Sequence, residues 1–207
     1  MSMSIFPKSE YKILKLIYQN PGIRFNELIG GAKVSVETAK VRLNHLLNLN
    51  VIREERIISG KKTLIRNFYP NLEDEEGKNV FSLIESEKRE EFFKKNKNLI
   101  GPFKQLLKNT DKRIKIVMVF GSFATYSQTR DSDLDILFLV SGKIDVDVLK
   151  KEVERSFVTF EHEISPRIDS IQNFKKNVKR EIYQTIIKNH IIIKGGSNYI
   201  GLMINAK

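Results

Sequence analysis

The sequence predicts an α+β protein made of two parts. Three helical segments and a basic β-hairpin fill the first 72 residues, and two short hydrophobic strands enclose a glycine-serine turn farther along the chain. Between them, the acidic, glycine-containing stretch from Asn71 to Gly77 is typical of a domain boundary. We therefore expect a front domain over residues 1–72, a helical linker over 73–110, and a mixed β-sheet with packed helices over 111–207.

Composition excludes several classes of protein. The 207 residues include no cysteine, so disulfides and thiolate-bound zinc are excluded. The three histidines are widely separated, which argues against a histidine-based metal site. No signal-peptide pattern opens the chain, and no apolar run approaches the ~20 residues that span a bilayer. We expect a cytoplasmic protein without a membrane partner.

The charge of the chain predicts a polyanionic partner. The net charge is +11, and residues 1–72 hold 12 Lys and Arg against 5 Asp and Glu. Residues 73–207 hold 24 against 20, so the excess is concentrated in the front part. Lysine-rich composition is also common in AT-rich genomes, and charge alone does not separate these two interpretations.

The front part begins with three predicted helices. Ser9 to Asn20 has helical spacing, a second helix runs from Phe25 to Ile29, and Gly30-Gly31 should end it. Ser35 is a good N-cap for the third helix. The predicted buried face of that helix is formed by Val36, Ala39, Leu43, Leu46 and Leu47.

A hairpin follows the third helix. Val51 to Ile58 and Lys62 to Tyr69 are β-rich runs joined by Ser59-Gly60-Lys61. Three helices and a basic hairpin resemble a winged helix-turn-helix domain. The resemblance implies that the third helix enters the major groove of DNA and that the hairpin, or wing, touches the flanking backbone.

Seven side chains are the expected DNA contacts. They are Thr38, Lys40 and Arg42 on the third helix and Arg56, Lys61, Lys62 and Arg66 on the wing. Two alternatives stay open: a winged helix used for dimerisation or internal packing, and binding of structured RNA in place of DNA.

The predicted linker is helical. Lys78 to about Leu107 has helical spacing, and Gly101-Pro102 should divide it into two helices. Its charged run is most simply a solvated helix face, with a homodimer contact as the alternative.

The segment that carries the candidate catalytic residues begins with a short apolar run of strand length, Ile114 to Phe120. Gly121-Ser122 follows at once, and Asp133-Leu134-Asp135 then leads into a second apolar strand, Ile136 to Val140. Glycine allows a sharp turn close to a ligand, and backbone N–H groups with the Ser122 hydroxyl can hold phosphate oxygens. Two aspartates with their Cα atoms about 6–7 Å apart on one face of a strand can converge on Mg²⁺.

These motifs closely resemble those of the polymerase beta nucleotidyltransferase superfamily, especially its small prokaryotic members. The resemblance implies transfer of a nucleoside monophosphate from ATP or another nucleoside triphosphate, with Mg²⁺ or Mn²⁺ held by Asp133 and Asp135 and the phosphates by Gly121 and Ser122. The acceptor stays open among proteins, tRNA and small molecules. The alternative is a DNA-binding transcriptional regulator whose transferase domain senses nucleotide or is degenerate.

Members of this superfamily normally add a third carboxylate from a neighbouring strand. We expect that strand at Phe157 to Ile164 and rank Glu163 first, Glu161 second and Asp169 third as the catalytic and metal-binding acid; exposed strand residues without a role are the alternative. Small relatives often have Ala-Arg-Gly after Gly-Ser, whereas this chain has Ala124-Thr125-Tyr126. Arg130 is the expected substitute for that arginine at the nucleotide.

The last part of the chain completes the predicted sheet. Asp169-Ser170 should cap a helix that runs to about Asn189, and His190 to Lys194 reads as a strand. Gly195-Gly196 is more simply a turn than a phosphate-binding loop.

Overall fold

Residues 6–59 and 63–204 are described by a computed structural model of the chain. The chain divides into two units, Met1–Ile84 and Glu85–Lys207, and the division falls inside one helix. Within the described residues, no helix is long and apolar enough to cross a membrane.

In its described residues, 6–59 and 63–84, the first unit contains three helices, three strands and the beginning of a fourth helix. Its elements are α1 (Lys8–Gln19), β1 (Ile23–Arg24), α2 (Phe25–Ala32), α3 (Val36–Asn48), β2 (Ile52–Ser59), β3 (Thr63–Pro70) and the first half of α4 (Glu75–Lys95). The strands form an antiparallel sheet in the order β1-β3-β2. The hairpin of β2 and β3 is present as predicted, and the two-residue β1 pairs with β3 on the side away from β2.

Helix α3 begins as its sequence predicts. The Ser35 side chain accepts a hydrogen bond from the Thr38 N–H at 3.1 Å, and Ala39, Leu43 and Leu46 are buried. Val36, expected on that buried face, is 41% exposed. Its spacing of three from Ala39 keeps it in line with the buried residues, but at the first turn of the helix that line reaches solvent.

The predicted break at Gly30-Gly31 is wrong, since α2 continues through both glycines to Ala32. A Cβ at Gly31 would lie 3.1 Å from Leu16 of α1, so glycine at this position permits the two helices to approach closely. The helix ends at Ala32, and the next residue, Lys33, caps it with a left-handed φ of 52°.

The second unit is a four-stranded sheet covered by helices on both faces. Its elements after α4 are a 3₁₀ turn (Lys97–Leu99), α5 (Ile100–Asn109), β4 (Ile114–Phe120), α6 (Gly121–Thr125), β5 (Leu134–Val140), α7 (Val146–Ser156), β6 (Ile164–Ser170), α8 (Ile171–Asn177), α9 (Glu181–Lys188), β7 (Ile191–Lys194) and α10 (Gly196–Ile204).

The sheet is mixed, as predicted. Its order is β6-β5-β4-β7, with β4 antiparallel to both β5 and β7 and β5 parallel to β6. One face packs against α5, α6 and α7 in a core that includes Phe103, Phe123 and Val153. The other face carries buried Met118 and Leu137 and lies on the side of α8 and α10. This layering fixes which strand residues can face a ligand.

Three sequence predictions for the later part of the chain also need correction. The strand expected at Phe157 to Ile164 begins only at Ile164, because the preceding residues turn back from α7. The helix expected up to Asn189 is two helices, α8 and α9, although Ser170 caps the first as predicted. The break expected at Gly101-Pro102 falls earlier, at Asn96, since Pro102 lies in the first turn of α5, where a missing N–H costs nothing.

Candidate functional site

The turn between β4 and α6 has the close approach that its glycine predicts. Gly121 has a φ of +68°, a conformation that side chains disfavour. A Cβ built on Gly121 would lie 2.2 Å from the Oδ2 atom of Asp135, which belongs to the neighbouring strand β5. The backbone of the Gly-Ser turn therefore lies directly against the aspartate carboxylate.

Asp135 lies among groups that do not neutralise it. It pairs with Phe120 across β4 and with Ser165 across the parallel strand β6. Burial raises the pKa of Asp135, a hydrogen bond from the Ser165 side chain lowers it in part, and the negative charge of Asp133 raises it again. Asp133 is exposed and stands one residue before β5. The two carboxylates thus repel each other at the edge of the sheet.

The two first-ranked candidates for the third carboxylate lie just before β6. Glu163 and Glu161 are both exposed and precede β6, and the Glu163 backbone carbonyl accepts the Leu134 N–H at 2.8 Å. Among the residues that the structure describes, no three side chains of His, Cys, Asp or Glu gather as a metal cluster. The position in register with Asp135 on the neighbouring strand belongs to Ser165.

Asp169 is occupied by other partners. Its carboxylate accepts hydrogen bonds from the Ser170 N–H at 2.7 Å, from the Asn173 side chain at 2.8 Å and from the Tyr183 hydroxyl. Asp169 therefore stabilises the turn from β6 into α8.

Thr125 and Tyr126 follow Ala124 at the positions where the arginine and glycine of Ala-Arg-Gly were expected. The Thr125 hydroxyl donates to the backbone of the same short helix, to the Ser122 carbonyl at 3.1 Å. Tyr126 takes a left-handed φ of 58°, and the Lys95 ammonium lies 3.9 Å from its ring centre. Arg130, the expected substitute, is exposed in the turn before Asp133.

On helix α3, the three predicted DNA contacts differ in exposure and in their side-chain partners. Lys40 is exposed, whereas Thr38 is half-buried and takes part in the N-cap with Ser35. Arg42 is turned toward the interior, with its guanidinium 3.5 Å from Glu10, a fully buried carboxylate that His45 also contacts at 2.8 Å. Arg42 thus neutralises Glu10.

On the wing, two of the four predicted cations share one acid. Arg56 bonds Glu54 at 3.0 Å, and Arg66 makes a charge-assisted hydrogen bond to the same carboxylate. Arg66 also lies over the Phe68 ring and is mostly buried, whereas Arg56 is well exposed. Lys61 and Lys62 lie outside the residues that the structure describes.

Sequence reasoning missed Ser165, although a usable pattern was present. Ile164, Pro166 and Ile168 alternate with polar residues, which is typical of a strand with one buried face. A strand at Phe157 to Ile164 would end before Ser165, whereas the observed β6 begins at Ile164 and brings Ser165 beside Asp135.

Comparison with known families matches a different family model in each of the two units. Residues 103–198 match the model of the polymerase beta nucleotidyltransferase family, and residues 7–53 match a winged helix-turn-helix DNA-binding model. The chain matches no curated protein and no solved structure. The chain therefore joins a winged helix-turn-helix domain to a domain of the polymerase beta nucleotidyltransferase family.

Proposed function

We propose that the second unit binds a nucleoside triphosphate with Mg²⁺ or Mn²⁺ and transfers its nucleoside monophosphate to an acceptor, and that the first unit binds DNA. The observation that carries the proposal is the carboxylate of Asp135, which abuts the backbone of Gly121 and is repelled by Asp133. A divalent cation relieves that repulsion, and a triphosphate is the ligand that a Gly-Ser turn at a helix start fits.

The two aspartates suit the metal that the family uses. Mg²⁺ in phosphate-transfer sites is commonly held by one or two carboxylates together with substrate phosphates, so a complete protein cage is not required. Once bound, the cation would neutralise charge on the phosphates and favour departure of pyrophosphate. The donor set of Asp133 and Asp135 therefore fits the cation.

The residues of the chain account for the remaining steps. The Gly121 and Ser122 amides and the Ser122 hydroxyl hold phosphate oxygens, which orients the α-phosphorus toward the acceptor. The acceptor oxygen bonds to that phosphorus as the bond to the β-phosphate breaks, and pyrophosphate leaves with the electron pair. Glu163 is the proposed proton acceptor, because it is exposed and its backbone bonds Leu134, the residue between the two aspartates.

The test is transfer of label from nucleoside triphosphates carrying a labelled α-phosphate to DNA, tRNA, protein and small-molecule acceptors. We expect transfer by the wild-type protein and none by the double variant Asp133→Asn, Asp135→Asn. Asp131→Asn is the matched control, since Asp131 is exposed in the same turn and lies outside the pair. Absence of both transfer and nucleotide binding in the wild type would contradict the proposal.

A second candidate function is a DNA-binding regulator that senses nucleotide without turning it over. Ser165 favours it, because a hydroxyl occupies the position beside Asp135 from which a neighbouring carboxylate could join the pair. Tight binding of nucleotide with no label on any acceptor, in wild type and Glu163→Gln alike, would select this function.

A further inference from the structure

Helix α3 presents one outward line of side chains. Residues at intervals of three and four share a face of a helix, and Glu37, Val41, Asn44 and Asn48 follow that spacing. All four are exposed, on the side of α3 opposite to the buried Ala39, Leu43 and Leu46.

Val41 is the unusual member of this line. It is 63% exposed at the centre of the helix, where a branched apolar residue has a lower helix propensity than alanine or leucine and leaves most of its surface in water. Its nearest neighbour toward the C-terminus on the line is Asn44, which carries both a donor and an acceptor. The line thus offers an apolar surface next to a bidentate polar group.

The strongest cation of the helix does not belong to this line. Arg42 is committed to the buried Glu10, so the residue best suited to read guanine is withdrawn from the outer face. Lys40 stands on the flank of the line, in a position suited to phosphate contact.

We propose that this line reads A·T base pairs in the major groove of duplex DNA, with Val41 against the thymine methyl group and Asn44 on the N6 and N7 atoms of adenine. The inference rests on the DNA binding proposed above. Asparagine forms a bidentate pair with adenine, and apolar side chains contact the thymine methyl, which no other DNA base presents.

DNA is the occupant that charge favours. Residues 1–72 carry 12 Lys and Arg against 5 Asp and Glu, which suits a polyanion better than the surface of an average protein. A-form RNA has a deep, narrow major groove that does not admit a helix, so the same line would not read duplex RNA.

The test compares binding to short alternating duplexes at one salt concentration. The probes are dA·dT, the same duplex with uracil in place of thymine, the same duplex with 7-deazaadenine in place of adenine, dG·dC, and rA·rU. We expect loss of the thymine methyl to weaken binding about threefold and loss of the adenine N7 to weaken it about fivefold, with dG·dC weaker still.

Variants assign the two effects to residues. Val41→Ala should bind the thymine and uracil duplexes equally, and Asn44→Ala should no longer distinguish adenine from 7-deazaadenine. Lys40→Gln, the matched control on the same helix, should weaken binding to every DNA duplex by a similar factor and preserve both differences. Amide exchange of Leu43 and Leu46 would verify that each variant is folded.

Each alternative outcome has a distinct meaning. Equal binding of the wild type to the thymine, uracil and 7-deazaadenine duplexes would overturn this inference while leaving DNA binding intact. Binding to none of the DNA duplexes, or tighter binding to rA·rU, would overturn the proposed DNA binding and this inference with it.

Discussion

The two units differ in the charged groups that surround one carboxylate of each, Glu10 and Asp135. In the first, Glu10 is fully buried, and the Arg42 guanidinium and the His45 ring both contact it. In the second, Asp135 lies at the edge of the sheet with a second aspartate as its charged neighbour and a serine hydroxyl as its donor. The first carboxylate is neutralised within the fold, whereas the second is left with an excess of negative charge.

That difference separates a structural acid from a binding site. A buried acid that an arginine and a histidine of its own unit already contact has protein partners in the place of a ligand. Burial and the charge of Asp133 both disfavour the ionised form of Asp135, so a cation from outside the chain would stabilise it, and acids of this kind cluster at functional sites. The contrast leads to four predictions, which are ordered by the size of the expected effect.

The largest effect is expected from Gly121→Ala. The new methyl group would lie 2.2 Å from the Asp135 carboxylate, and the left-handed φ of +68° disfavours alanine as well. Displacing the turn by about 1 Å should lower nucleotidyl transfer at least about 100-fold. Labelled transfer and nucleotide binding would both measure it.

Gly101→Ala is the control for that variant. Apart from its chain neighbours and the backbone of its own helix, no described atom lies within 4 Å of a Cβ at Gly101 in α5, so alanine should be tolerated and should stabilise the helix by about 0.5–1 kcal/mol. Similar transfer by the two glycine variants would argue that the approach of Gly121 to Asp135 has no role in the chemistry.

The second prediction concerns Glu85, a neutralised carboxylate within the second unit. Burial would raise its pKa, but the charge and hydrogen bond of His190, followed by those of Lys88, lower the pKa to about 2 from an ordinary 4.5. Unfolding therefore takes up a proton below pH 4.5, and the stability that Glu85 contributes at higher pH is lost as the pH falls toward about 2. The expected loss is about 3 kcal/mol.

Glu85→Gln measures this contribution directly. The variant should show a flatter acid limb in urea unfolding between pH 4.5 and 2, whereas Glu90→Gln, an exposed residue on the same helix, should keep the wild-type slope. An unchanged slope in Glu85→Gln would show that other carboxylates govern the acid limb.

The site motif was predictable because its chemistry is local in sequence. Gly121, Asp133 and Asp135 belong to one strand–turn–strand passage, and alternation along a strand predicts that the two aspartates share a face, although Asp133 lies one residue before β5. The closeness of Gly121 to Asp135 follows from antiparallel pairing of the flanking strands, which their apolar runs also predict.

The remaining features depend on contacts between distant segments. A helix pattern shows that Arg42 avoids the buried face of α3, but the attraction of Glu10, 32 positions earlier, decides where its side chain points. Similarly, Ser165 lies beside Asp135 only through parallel pairing across an intervening helix, and the register of such a pair cannot be counted from the turn.

The third prediction tests the assignment of Arg42 to Glu10. Arg42→Met should destabilise the first unit by about 2 kcal/mol, which is less than a fully buried pair costs because Arg42 is one-third exposed. Amide exchange of Leu43 and Leu46 would report this unit separately from the other. Lys40→Met, exposed on the same helix, should stay within about 0.5 kcal/mol. Equal stability of the two variants, with DNA binding lost in Arg42→Met, would make Arg42 a DNA contact after all.

The smallest predicted effect has the opposite sign. Asp135→Asn removes one of two repelling charges, so in the absence of divalent metal it should stabilise the second unit by about 0.5–1 kcal/mol, as substitutions at functional sites often do. Slower amide exchange at Leu137 and Leu139 would show it. Adding Mg²⁺ and nucleotide should reverse the order, because ligand stabilises only the protein that binds it. If Asp135→Asn instead loosens the sheet without metal, the hydrogen bond from Ser165 outweighs the repulsion, and Asp135 is held by the fold in the same sense as Glu10.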